Sequence, residues 1–183
     1  MGSFAVIDTE TNWADQVMSI GTVIADADTF KIQDAKYHVF PLELAIGGMY
    51  EAAVFIQTPV KPILTARAEA LGDLRQWFAD FGVRSIFAYN ACFDRNHLPE
   101  LRDLDWYDIM RLAAYRQHNP KIPTNADCFS TGRLKRGYGV EAMLRLLSGN
   151  RRYRETHNAI GDAMDELELM RLLSHPLCNY IKL

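Results

Sequence analysis

Residues 4 to 13, FAVIDTETNW, hold the stretch that decides the fold: four apolar residues run directly into two carboxylates, Asp8 and Glu10, one residue apart. In an extended strand the side chains alternate faces, so Phe4, Val6, Asp8 and Glu10 share one face while Ala5, Ile7 and Thr9 share the other. Two acids therefore lie in line with core residues. Charge taken out of water is costly unless it is paired or bound to a metal. Either the strand ends at solvent, or a cation sits at its end.

Downstream, QVMSIGTVIADAD (16–28) reads as a second strand closed by a turn at Asp26 to Asp28, and KIQDAKYHVF (31–40) as a third. Their short separations predict an antiparallel meander. Residues 41–62 read as a variable connection. Part of it has helical character, but Gly47 and Gly48 weaken the helix and Pro59 and Pro62 end it. Over 65–81, Leu71, Leu74, Phe78 and Phe81 recur at helical spacing, with Thr65 as a candidate N-cap. RSIFAYN (84–90) reads as a compact buried strand, followed by a helix over about 91–102 that Asn90 could cap. A short strand at 106–108 leads into a helix through Tyr115. Residues 117–137 read as a long loop, of the kind more often functional or mobile than idle. Helices over about 140–147 and 158–173 close the chain. Three antiparallel strands followed by alternating helix and strand predict an α/β fold, a mixed five-stranded sheet with helices on both faces.

At 183 residues and 49% hydrophobic, the chain is sized for one domain over 1–183. No apolar run approaches the roughly 20 residues that cross a bilayer, and the N-terminus lacks a basic segment followed by an apolar stretch and a cleavage site. A cytoplasmic protein is expected. Cys92, Cys128 and Cys178 lie far apart, which argues against a zinc site or a disulfide framework and reads as reduced, structural thiols. The formal charge of −3 gives no general attraction to nucleic acid, yet residues 133–154 carry Arg133, Lys135, Arg136, Arg145, Arg151, Arg152 and Arg154 against Glu141 alone. This segment is either a solvated basic face or a track for a phosphate backbone.

In sheets of this kind ligands gather where the carboxyl ends of strands meet helix N-termini, and Asp8 and Glu10 sit at such an end. Asp94 falls in the first turn after RSIFAYN and can approach the same edge, although an acid there is also favoured by the helix dipole alone. The closing segment HNAIGDAMDELELMRLL (157–173) offers His157 just before a helix and Asp162 within its first turns. Ile160, Met164, Leu167 and Met170 mark its apolar stripe, with Asp162 about 100° to one side. Periodicity does not choose Asp162 over Asp165, and a His before a helix also serves as a surface or capping residue. Grouped carboxylates suit hard cations such as Mg²⁺ or Mn²⁺, which keep positions open for phosphate and water. Four acids can hold two ions, one to activate water and one to stabilise the leaving oxygen, and a neutral His is matched to accept the water's proton.

Taken together, IDTET, YNACFDRNHL and HNAIGDA, in that order, resemble the three exonuclease motifs of the DnaQ-like DEDDh 3′-5′ exonuclease family. The resemblance implies a ribonuclease H-like fold. By position it implies Asp8, Glu10, Asp94 and Asp162 as ligands of two Mg²⁺ or Mn²⁺ ions, with Asp8 bridging them, and His157 as general base. By position Asn90 and Phe93 match residues that shape the site, Thr11, Trp13 and Asn90 are the candidate substrate contacts, and Asp108 resembles a supporting acid, for which a helix cap is at least an equal alternative. The implied reaction releases nucleoside 5′-monophosphates from the 3′ end of single-stranded DNA or RNA, and the resemblance admits a homodimer. The chain departs from its relatives at Asn12-Trp13, where a Thr-Gly is frequent, and at Ser19, where many have an acid or amide. Trp13 there either stacks on a base or simply packs. Two other classes of function compete: a catalytically silent nucleic-acid-binding or scaffold domain of the same fold, and a phosphoesterase for a small molecule. The complete set of four acids and a His favours the exonuclease over the first, and the basic segment favours it over the second.

Overall fold

The computed structural model describes residues 2–183. Strands β1 (Ser3–Thr11), β2 (Val17–Asp26) and β3 (Ile32–Val39) form the expected antiparallel meander, with Asp8 opposite Gly21 and Glu10 opposite Ser19. A helical turn α1 (Pro41–Leu44) follows, then β4 (Ile63–Leu64), helix α2 (Arg67–Phe81), β5 (Ser85–Ala88) and the short helix α3 (Cys92–His97). Strand β6 (Asp105–Asp108), α4 (Met110–Ala113), α5 (Val140–Ser148) and α6 (Ala159–Leu173) complete the chain. The sheet runs β4-β3-β2-β1-β5-β6, with β5 parallel to β1 and β6 parallel to β5.

The sheet has six strands where five are expected. The sixth, β4, pairs in parallel with the end of β3 through Ile63 and Leu64 alone, and two residues carry no alternation for a pattern to detect. Two caps also differ. Thr65 is not the N-cap of α2; Ala66 occupies that position without a side-chain cap, and the Thr65 hydroxyl donates to Glu69 Oε2 at 2.6 Å. Asn90 does not cap α3 either: Ala91 does, and Asn90 lies one residue earlier in the left-handed region at φ 61°. The helix expected over 91–102 stops at His97, and a separate 3₁₀ turn, Pro99–Leu101, follows, since the residue before a proline is pushed out of helical geometry.

The alternation in β1 holds. Phe4 and Val6 pack into a core with Met143, Leu144, Ile160, Leu167 and Met170 of α5 and α6. Ala5 and Ile7 pack on the other face with Leu71, Leu74, Trp77 and Phe78 of α2. Burying such side chains stabilises the sheet by about 1.5–3 kcal/mol each. In helix α6 three residues of the expected stripe, Ile160, Leu167 and Met170, are buried and Met164 is half-buried, and the buried face is wider than that stripe, taking in Ala159, Asp162, Ala163, Glu166 and Leu169. The three cysteines are unpaired, and Cys92 and Cys178 are exposed rather than packed. Among the described residues no helix is long and apolar enough to cross a membrane.

Candidate active site

Asp8 and Glu10 reach one end of β1, on the face that α6 covers. Helix α6 can lie close because β2 presents Gly21 there, directly opposite Asp8. Asn158 starts the helix: its Oδ1 accepts the N–H of Gly161 at 2.9 Å, and its Nδ2 donates to the carbonyl of Ile56 at 3.0 Å and to Thr156 Oγ1 at 3.1 Å. A cap of this type contributes about 0.5–2 kcal/mol. It also aims the first turn, bringing Asp162 to the strand end, where ligand atoms of Asp8, Glu10 and Asp162 lie within 4.8 Å of one another.

Asp94 reaches the same place from α3. Its Oδ1 accepts the Thr9 hydroxyl at 2.7 Å, so Thr9, on the opposite face of β1 from Asp8, locks the α3 carboxylate to the strand. Asp94 stands outside the tight group of three but lines the same cavity, of about 580 Å³, with Asp8, Glu10, Asp162 and His157. His157 is in the left-handed region at φ 55°, and its ring stacks on Tyr50 with centroids 4.4 Å apart and planes 17° from parallel.

Sequence reasoning missed two acids here. Glu155 Oε2 lies 4.0 Å from His157 Nδ1, and Glu155, His157 and Asp162 form a second group with ligand atoms within 4.8 Å. Glu166, one turn beyond Asp162, is buried and accepts the N–H of Tyr89 at 3.0 Å. The i, i+4 spacing from Asp162 was the available signal for Glu166. Glu155 had none, because it follows a run of arginines and no periodic pattern covers it.

So many acids in one buried place raise one another's affinity for protons. Burial pushes Asp162 up to about 9, with Glu155 and Glu10 adding to it. Burial, then Glu155 and Asp94, push Glu10 up to about 8. Burial lifts Asp94 to about 7 against the hydrogen bond from Thr9, and lifts Glu155 to about 7 with help from Asp165 and Glu141. Asp8 and Glu166 are raised well above the usual carboxylate range, chiefly by burial and then by Asp94. No lysine or arginine offsets this charge through an ion pair to Asp8, Glu10, Asp94 or Asp162 among the described residues. Asp162 Oδ1 is buried without a hydrogen-bond partner. An all-oxygen donor set with an unpartnered oxygen and uncompensated negative charge fits a hard divalent cation.

The remaining expected residues divide. Thr11, Trp13, Asn90 and Phe93 all line the cavity, and Trp13 is 69% exposed beside it. Asn12, one of the departures, is buried and braces its loop: its Oδ1 accepts the N–H groups of Ala14 and Gln16, and its Nδ2 donates to the carbonyl of Glu43, 31 positions away. Asp108 is not the N-cap of α4, which is Ile109; its Oδ1 accepts the N–H groups of Asn90 and Met110, each at 3.0 Å, and ties the start of α4 to the turn before α3. It thereby holds the left-handed turn that leads to Asp94.

The sequence matches no protein-family model and no curated protein. Solved structures do resemble it. The nuclease domain of 3′hExo, a DEDDh family member solved with rAMP, aligns with a TM-score of 0.66 at 13% identity, covering 99% of this chain and 96% of that one. Exonuclease I of E. coli, solved with a zinc ion and single-stranded DNA, aligns with a TM-score of 0.62 at 15% identity, covering 98% of this chain. Exonuclease I from Methylocaldum szegediense aligns with a TM-score of 0.61 at 16% identity and 98% coverage. The chain spans 42% of the length of these two exonuclease I chains. What is shared at such identities is the fold, a mixed sheet flanked by helices.

Proposed function

We propose that the protein is a metal-dependent 3′-to-5′ exonuclease that hydrolyses the terminal phosphodiester of single-stranded DNA or RNA and releases nucleoside 5′-monophosphates. The observation that carries this is the convergence of Asp8, Glu10 and Asp162 within 4.8 Å, around the unpartnered Asp162 Oδ1. Similarity in fold to nucleases solved with zinc and single-stranded DNA, and with rAMP, supports it.

Asp8, Glu10, Asp94 and Asp162 would hold two Mg²⁺ or Mn²⁺ ions. Such ions supply charge neutralisation, a more acidic bound water and stabilisation of the leaving oxygen. The protein's own groups do the rest. His157 accepts the proton of the attacking water at the ring nitrogen turned away from Glu155. Tyr50 fixes the plane of that ring by stacking. Thr9 holds Asp94, and Asp108 holds the Asn90 turn, so the carboxylates stay in register without rearrangement during the reaction. Thr11, Trp13 and Asn90 line the space where the terminal nucleotide rests.

The test is degradation of 5′-labelled single-stranded DNA and RNA of equal sequence in Mg²⁺, Mn²⁺ or EDTA, with the Asp8→Ala protein alongside. The expected result is a metal-dependent ladder shortening from the 3′ end and absent in the variant. Cleavage by Asp8→Ala at the wild-type rate, or no cleavage by the wild type on either polymer, overturns the assignment.

A further inference from the structure

The net charge of +6 over residues 133–154 is only partly taken up by internal ion pairs. Arg145 and Arg154 both approach Glu141, and Lys135 Nζ reaches Asp127 Oδ1 at 2.9 Å. Among the described residues, Arg133, Arg136, Arg151 and Arg152 have no carboxylate in ion-pair range. Arg133 is instead flanked by two rings, its guanidinium carbon 4.9 Å from the centroid of Phe129 and 5.1 Å from that of Tyr138. Both rings are open to solvent, at 44% and 39% exposure.

This stack is braced and joined to the candidate site. The Phe129 N–H donates to the carbonyl of Arg133 at 2.8 Å, and the Leu134 N–H donates to the carbonyl of Ala114 at 3.0 Å. The Tyr89 hydroxyl donates to the carbonyl of Tyr138. Tyr89, and Gly139 and Val140 just beyond Tyr138, line the cavity that holds the carboxylates. Exposed aromatic rings around the unpaired Arg133 guanidinium, one residue along the chain from the cavity lining at Gly139, suit a polymer that alternates phosphates with accessible base faces. Single-stranded nucleic acid is such a polymer. A duplex hides the base faces, and an acidic peptide would use the charge but leave the rings idle.

We propose that the Phe129, Arg133 and Tyr138 stack, with Lys135 and Arg136, is a platform for the unpaired nucleotides 5′ of the bond being cut, so that the preferred substrate is an oligonucleotide of several residues rather than a dinucleotide. This rests on the exonuclease function proposed above.

Two measurements test it. The first is fluorescence anisotropy of 5′-labelled dT12 and rU12 in EDTA across a salt series, for the wild type, Phe129→Ala and Arg136→Gln. The second is the ratio of kcat/KM for the 12-mer to that for a dinucleotide in Mg²⁺. Phe129→Ala is expected to weaken 12-mer binding about tenfold through loss of a stacked base. Arg136→Gln is expected to lower the slope of log affinity against log salt by about 0.7, one phosphate contact on a single strand. The kcat/KM ratio should fall in both variants. Loss with either sugar supports the platform. Unchanged 12-mer affinity and salt slope in both variants, equal wild-type kcat/KM on dinucleotide and 12-mer, or displacement of the 12-mer by poly-glutamate at equal charge overturns it. Variant-sensitive binding without any cleavage supports the platform as a nucleic-acid surface and overturns the exonuclease, so the two failures are distinguishable.

Discussion

Gly21 faces Ala159 with no room for a side chain: a methyl group on its Cα would lie 2.1 Å from both the carbonyl carbon and the oxygen of Ala159, and 2.3 Å from the nitrogen of Ile160. Since Gly21 pairs across the sheet with Asp8, this contact between strand and helix backbones sets how near Asp162 comes to Asp8. The geometry of the candidate site is thus tied to the absence of one side chain.

Gly21→Ala should therefore push the start of α6 off the sheet, at a cost of about 1–3 kcal/mol or more for overpacking. Cleavage should fall further than the loss of folded protein explains, because Asp162 moves with the helix. Gly72→Ala is the control. Nothing lies within 4 Å of a Cβ at Gly72, and removing a glycine from the interior of α2 should stabilise by about 0.5–1 kcal/mol. Thermal melts and cleavage rates of the two variants check the pair, and equal melting temperatures would sink the close-approach argument.

The metal-free protein should lose stability as pH rises. Asp94 and Glu155 are raised to about 7, Glu10 to about 8 and Asp162 to about 9, while unfolded carboxylates titrate near 4. Between those limits the folded state binds more protons than the unfolded state, so unfolding free energy falls with increasing pH. Stability from these groups is full below about pH 4 and is lost through the interval from about 4 to 9. Melts in EDTA should show a falling midpoint from pH 5 to pH 9. Added Mg²⁺ should flatten that slope, since an ion that binds only the folded state raises its stability, and Asp162→Asn should flatten it without Mg²⁺. A midpoint independent of pH in EDTA would contradict the clustered charge.

Replacing His157 by Asn keeps a residue type that tolerates the left-handed backbone at this position. The imidazole is 41% exposed, so the melting temperature should barely change. The rate should fall about 100- to 10,000-fold, the usual contribution of a general base, mainly in kcat. A variant with near-wild-type kcat at neutral pH would remove His157 from the proton-transfer role.

Trp13 donates its backbone N–H to the carbonyl of Gly47 at 2.9 Å, and its side chain stands largely in solvent. Trp13→Ala should leave stability unchanged and weaken binding of a single strand by about 1–3 kcal/mol if the indole stacks on a base. Titration of a labelled oligonucleotide in EDTA measures this, and unchanged affinity assigns Trp13 to the loop surface.

Much of this molecule is a local property of its sequence. Period-two alternation in FAVIDTETNW placed Asp8 and Glu10 on one face, and the structure keeps them there. The meander, the buried strand before Asp94 and the helices closing the chain followed from apolar spacing and from turn residues at short range. Other features depend on partners distant in the chain. The two-residue strand β4 exists only because β3 offers an edge. Asp162 and Asp165 lie three residues apart on one helix, and only the packing of α6 against Gly21 turned Asp162 toward the carboxylates and left Asp165 with the Tyr153 hydroxyl. Thr9, on the face opposite the two acids, holds a carboxylate 85 positions away. Glu155 joined the site because Asn158 and Tyr50 carry its loop back to the cavity. Strand and helix periods are set by neighbouring residues through backbone geometry. Which face meets which, and how closely, is set by the volume of side chains that the chain brings together only when it folds.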